Sequence, residues 1–207
     1  GCKHHCKFCT VPDQLEIKSD IHIIGQYESF RPLKFKLIYL NDKTFGQADN
    51  CHWLGLMYDR IRQYNPEFEG FIVQTTAAMV CKRPIDFWEK LHIRVVEIGI
   101  ETFNDNLLKR YRKPASEHII SEAIQKLARA GVKCIANIIL GLPGETEATY
   151  HHTANFLYDC YNLEYLYSLN IYTLAAYADS DLGIKTDEKD ADELHDDRSF
   201  WTPEERD

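Results

Sequence analysis

Hydrophobic positions along the chain switch between a strand-like and a helix-like period. Residues 35–40 form a short apolar-rich run closed by the turn-like Asn41-Asp42, which predicts a strand. Over 51–64, Leu54, Met57, Tyr58 and Ile61 recur at helical spacing and Asn65-Pro66 supplies a stop, which predicts a helix. Residues 70–74 read as a second strand, 84–91 as a short helix, and 95–100 as a third strand. The clearest helix follows: Ser116 is its N-cap, Ile120, Ala123, Ile124 and Leu127 form one stripe, and Gly131 closes it. The most apolar strand is 132–140, with Gly141-Leu142-Pro143-Gly144 as its exit turn. A helix over 146–160 and a strand over 165–172 complete the series, and one more helix of poor period is expected between Cys9 and Arg31.

Strands alternating with helices of this length predict an α/β fold, with a parallel sheet and right-handed crossovers. Open sheet and barrel share this pattern. In both, the loops after the C-terminal ends of the strands are where a ligand sits. The apolar period stops at Tyr177. That divides the chain into a core over 1–176 and a segment over 177–207, read as an acidic tail or the start of a C-terminal module.

Charge sharpens this boundary. The net charge is −8, and 177–207 holds twelve acidic and four basic residues, so the core is neutral. A neutral core gives no electrostatic argument for nucleic acid. Apolar residues make up 44% and charged residues 27%, the composition of a soluble globular domain. No run approaches the roughly 18 apolar residues of a membrane helix, and no secretory leader is read. A reducing, cytoplasmic setting is therefore expected, in which seven cysteines serve as metal ligands or buried thiols. A chain that opens on Gly1-Cys2 with no strand before it reads as a piece of something longer.

The candidate chemistry lies in that opening. Cys2, Cys6 and Cys9 stand in the spacing C-x3-C-x2-C. Three thiolates on one short loop can each hold one iron of a cubane cluster, leaving the fourth iron open to a small chelating molecule. Zinc is the alternative, since His4 or His5 would complete a tetrahedral set and make the protein a non-enzymatic interaction module. Otherwise His4 and His5 are exposed spacers, and Cys51, Cys81, Cys134 and Cys160 are small buried hydrophobes.

The loop, with an aromatic Phe8 before its last cysteine, resembles the defining motif of the radical S-adenosylmethionine (SAM) superfamily. Two later segments resemble that superfamily in the right order. Val96-Glu97-Ile98-Gly99-Ile100-Glu101-Thr102, continued through Asn104-Asp105 to Arg112-Lys113, is similar to the fourth-strand motif of one branch. That branch includes oxygen-independent coproporphyrinogen oxidases, tRNA methylthiotransferases and cobalamin-dependent members. Asn137 through Glu145 is similar to its fifth-strand motif.

The resemblance implies a partial (β/α)6 TIM-like barrel with its first strand missing and about five parallel strands present. It implies an enzyme that cleaves SAM reductively to a 5′-deoxyadenosyl radical, fed by an external electron donor, with no substrate identified. Cys2, Cys6 and Cys9 would bind the [4Fe–4S] cluster. Phe8 would lie by the adenine through its backbone, and Asp42, Lys43 and Thr44 would fill the turn that receives the SAM amino group. Glu101 would meet the ribose, Arg112 the SAM carboxylate, Asn137 a fifth-strand polar contact, and Leu142 the adenine. The Asn41-Asp42-Lys43-Thr44 turn departs from the family's glycine-rich form, which leaves room for a degenerate member lacking turnover. The stretch around Glu101 and 104–113 leans towards the cobalamin-linked group, implying cobalamin through an upstream domain. An RNA-binding domain, expected for tRNA methylthiolation, is not read in these residues.

Overall fold

The computed structural model describes residues 1–48, 51–177 and 179–183. Most of the acidic segment expected beyond 177 lies outside the described residues. The elements run α1 (Asp20–Ser29), β1 (Leu37–Leu40), α2 (Trp53–Tyr64), β2 (Gly70–Thr75), α3 (Ala77–Lys82), α4 (Phe87–Lys90), β3 (Ile93–Glu101), α5 (Asp105–Arg110), α6 (Glu117–Arg129), β4 (Lys133–Leu140), α7 (Glu147–Asn162) and β5 (Ser168–Thr173). All five predicted strands are present. The residues expected to form one helix over 84–91 instead follow the short α3 and contain only the one-turn α4. The six-residue α5 was not foreseen either, because one or two turns carry too little periodicity to register.

The strands pair in chain order, β1-β2-β3-β4-β5, and every pair is parallel. Parallel neighbours need a crossover, and a series of same-handed crossovers places the helices on one side of the sheet. The sheet curls into a half-barrel with helices outside. Period-2 alternation then sorts the side chains. Phe71 and Val73 of β2, Val96, Ile98 and Ile100 of β3, and Cys134, Ala136 and Ile138 of β4 point outward and are buried beneath helices. The opposite, concave face carries Gln74, Glu97, Gly99, Asn137 and Asn170 as register neighbours.

The helices that seal the outer face end where their sequences say they should. Ser116 accepts from the Ile119 N–H, as an N-cap does, and Ile120, Ala123, Ile124 and Leu127 are all buried. Gly131 closes α6 with φ +66°. Thr146 and Thr149 exchange hydrogen bonds in a capping box at the start of α7. β5 is the exception to the layering. Five of its six residues are exposed, and beside α7 it borders an apolar groove of about 400 Å³ lined by Leu157, Tyr158, Tyr161, Leu166 and Ile171.

Two glycines show how unevenly the fold tolerates a methyl group. Gly70 opens β2 at φ +146°, and a Cβ there would run into the His92 carbonyl oxygen. Gly55, inside α2, has nothing within 4 Å of its Cβ position. Gly70→Ala is expected to cost about 2–4 kcal/mol in urea unfolding, as strain and overpacking do. Gly55→Ala is expected to stabilise by roughly 0.5–1 kcal/mol through helix propensity. Equal effects for the two would contradict this assignment.

Candidate functional site

The cysteine loop is tied down at both ends of the curled sheet. Near its start, the Cys2 Sγ and Thr44 Oγ1 lie 3.0 Å apart, the Cys2 N–H donates to Pro12 O at 2.8 Å, and the Lys3 N–H donates to the Gln47 side chain. Gln47 also donates back to Gly1 O at 2.7 Å. Thr44 is itself buried in the turn after β1, so the loop is fixed to that strand's C-terminal end. Further along, the Lys7 N–H donates to Tyr111 O just beyond α5, and the Leu182 N–H donates to Lys7 O. Cys9 closes the loop through its N–H to Cys6 O, and its sulfur accepts from the Val11 N–H at 3.4 Å.

The centre of the site is a buried ion pair. Lys113 Nζ and Glu101 Oε1 are 2.6 Å apart, with side chains only 9% and 11% exposed. Three backbone features make this pair possible. Glu101 ends β3 at φ +67° beside a register shift, which turns its side chain over the concave rim. Arg112 takes φ +54°, so the two residues of Arg112-Lys113 diverge. Gly99 lies directly beneath: a Cβ there would strike Glu101 Oε1 and come within 2.8 Å of Lys113 Nζ.

The electrostatics follow from burial and this one cation. Burial alone would lower the Lys113 pKa, but the Glu101 carboxylate and the Cys6 thiol outweigh it and hold the amine above its ordinary value. Burial pushes the Cys6 thiol up to about 11, with Lys113 pulling the other way. His4 is shifted down by burial and by Lys113. His4 is therefore a half-buried neighbour of the site and not the exposed spacer anticipated; His5 is exposed.

The remaining sequence-predicted residues divide. Phe8 packs against Tyr111, ring centroids 6.2 Å apart, with Lys113 Nζ 5.9 Å from its own ring. Leu142 is buried in the same small cluster with Leu107 and Tyr111, and the Tyr111 hydroxyl donates to Pro143 O at 2.5 Å. Thr44 is at the loop, whereas Asp42 and Lys43 are exposed on the turn; Asp42 Oδ1 accepts from the Thr44 N–H. Arg112 points outward, 61% exposed, to Asp181 at 3.4 Å. The buried base beside the cysteines is Lys113, the next residue, which the sequence reading passed over. Nothing in the sequence separates the two adjacent bases; the positive φ at Arg112 does. Asn137 has both ends of its amide occupied, donating to Glu97 at 2.6 Å and accepting from Asn170 at 3.0 Å.

Three thiols on one short loop are the donor chemistry an iron–sulfur cubane uses, one thiolate for each of three irons. Cys2, Cys6 and Cys9 are free, half-buried thiols. Tetrahedral zinc requires its ligands to meet at one point about 2.0–2.3 Å away. A cubane asks instead for one thiolate per iron, spread over a corner of the cluster.

Fold and loop together define a half-barrel with a loop of three free thiols at the C-terminal mouth of its parallel strands. The chain belongs to the radical SAM superfamily, whose family model matches residues 1–157. It is 22% identical over 181 residues to the ribosomal protein uS12 methylthiotransferase RimO of Francisella tularensis subsp. novicida, covering 75% of this chain and 40% of that protein. It is 24% identical over 152 residues to the heme chaperone HemW of Lactococcus lactis, covering 70% of this chain and 40% of the relative. Among solved structures, its fold matches the radical SAM methyltransferase TsrM of Kitasatospora setae with a TM-score of 0.71, at 15% identity, over 92% of this chain and 36% of that one. It also matches coproporphyrinogen III oxidase of Escherichia coli, with a TM-score of 0.65 over 99% of this chain and 47% of that one, again at 15% identity. The chain thus spans about two fifths of the length of these sequence relatives, and they fall in the anticipated branch.

The ion pair yields a direct test. Lys113→Met strands a buried carboxylate and is expected to cost about 3–5 kcal/mol in denaturant unfolding. Combining it with Glu101→Gln is expected to recover much of that loss, giving a coupling energy above about 1 kcal/mol in a double-mutant cycle. Strict additivity would show that the pair is not coupled.

Proposed function

We propose that this protein is a radical SAM enzyme in which Cys2, Cys6 and Cys9 hold a [4Fe–4S] cluster that opens SAM for radical chemistry on a substrate seated in the half-barrel. The observation that carries the reading is the placement of the three-thiol loop against the buried Glu101–Lys113 pair at the strands' C-terminal mouth. When bound, a cluster with one iron free of protein ligands supplies an electron from an external donor to chelated SAM, breaking a C–S bond to give methionine and a 5′-deoxyadenosyl radical.

The chain's own residues bind and orient. The three thiolates would hold three irons, and the Cys2 thiol is positioned by its contact with Thr44. Lys113 places a positive charge beside Cys6 and Cys9, which would favour the reduced form of a cluster held there. Glu101, held by Lys113 at the rim, has a free oxygen to accept from a ribose hydroxyl. Phe8 and Leu142 form an apolar shelf suited to an adenine face, while Thr44 with Asp42 and Lys43 forms the turn towards the amino end of SAM. Asn137 serves the lumen wall, where its amide bridges Glu97 and Asn170. Arg112, paired with Asp181 at the surface, is left without a part in SAM binding.

A cobalamin-assisted variant of this chemistry is favoured by two of the structural neighbours, TsrM and OxsB, both described with cobalamin bound. Here cobalamin would come from a domain outside these residues. No helix among the described residues is long and apolar enough to cross a membrane.

The test is anaerobic reconstitution. The full-length protein is expected to take up about four irons and to form 5′-deoxyadenosine from SAM with a chemical reductant. Cys6→Ala is expected to reduce both to background. One tightly bound zinc and no iron after anaerobic purification would overturn the proposal.

A further inference from the structure

Below the mouth, a hydrogen-bond chain crosses the concave face and engages four of the five strands. The Tyr39 hydroxyl of β1 donates to Glu97 Oε2 of β3 at 3.0 Å. The Asn137 amide of β4 donates to Glu97 Oε1 at 2.6 Å, and the Asn170 amide of β5 donates to Asn137 Oδ1 at 3.0 Å. Gln74 of β2 stands in register with Glu97. All donation runs inward, and the carboxylate is where it ends. Asn137 must turn its NH₂ to an ionised acceptor, so its oxygen faces Asn170, which in turn must donate.

The Tyr39 proton fits this direction. Burial, then its hydrogen bond to Glu97, pushes the hydroxyl up to about 12, so it remains a donor at neutral pH. The resulting carboxylate is oriented by two donors, yet it has no basic partner: among the described residues, Glu97 takes part in no ion pair. Glu101, the other acid on this face, is neutralised by Lys113. A half-buried carboxylate left with an open lone pair and no counter-charge favours a cation in the space before it.

We propose that Glu97 is a substrate-binding residue that takes a protonated amine, so that the substrate of this half-barrel is a compact cationic amine. The inference rests on the reading that the mouth holds the cluster and SAM. Glu97 lies two residues before Gly99 on β3, which sets it about 7 Å deeper than that glycine, over which the Glu101–Lys113 pair lies. An amine anchored there leaves a carbon a few bonds away facing the mouth. An anionic group at the same depth would meet the Glu97 charge with nothing to offset it.

The experiment uses full-length, cluster-loaded protein with SAM present, titrated calorimetrically with benzylamine, benzyl alcohol and benzoate. Benzylamine is expected to bind at least tenfold more tightly than benzyl alcohol, with benzoate weakest. E97Q is expected to remove the preference while keeping the side chain's volume. Equal binding of the three probes by the wild-type protein would overturn the proposal without recourse to any variant, as would an undiminished preference in E97Q. Iron content and SAM binding are measured on the same wild-type sample. Absence of either overturns the cluster reading together with this inference, whereas their presence without an amine preference overturns the Glu97 assignment alone.

Discussion

The site depends on one buried salt bridge, Glu101–Lys113, and on the missing side chain beneath it. A buried ion pair gains little over an apolar pair of the same shape, because desolvation offsets most of the attraction. Its value here is positional. It joins the end of β3 to the segment after α5, and the backbone of that segment holds Lys7 of the cysteine loop. Gly99 is glycine because the pair occupies the space where its side chain would be. One strand end, one helix end and the cysteine loop are thereby fixed relative to each other by a contact only two side chains wide.

The same pair explains a division of labour on the concave face. Glu101 and Glu97 lie on the same side of β3, yet one has a lysine partner and the other has only neutral donors. The rim is therefore close to neutral and the lumen wall negative. The charge goes from balanced at the rim to negative in the lumen, without any change of fold.

Much of this was legible in the sequence, and the limits are instructive. The parallel α/β order, the five strands and the N-cap at Ser116 follow from periods that the structure obeys. The cysteine loop follows from its spacing. What could not be read depended on backbone geometry that no hydrophobic period encodes. Arg112 and Lys113 are adjacent bases, and only the positive φ at Arg112 sends one to Asp181 and the other to Glu101. Asn137 was recognisable as a polar residue in an apolar strand that needed a partner, but its partners come from β3 and β5, 40 and 33 residues away. Glu97 looked like one more polar residue in a motif until Tyr39, 58 residues earlier, was seen to meet it.

The strand order has a consequence for how the chain acquires its shape. Each strand pairs only with its immediate predecessor and successor in sequence. Every addition during synthesis can therefore land on an edge already made, with no earlier segment waiting for a later one to slip between. Contacts within each βα step close short loops, which keeps the entropy of each closure modest. The tethering of the cysteine loop is different. Lys7 must wait for Tyr111, more than 100 residues later, before its backbone bond can form. The scaffold can thus be assembled progressively, while the cysteine loop is tethered late, after β3 and α5 have emerged.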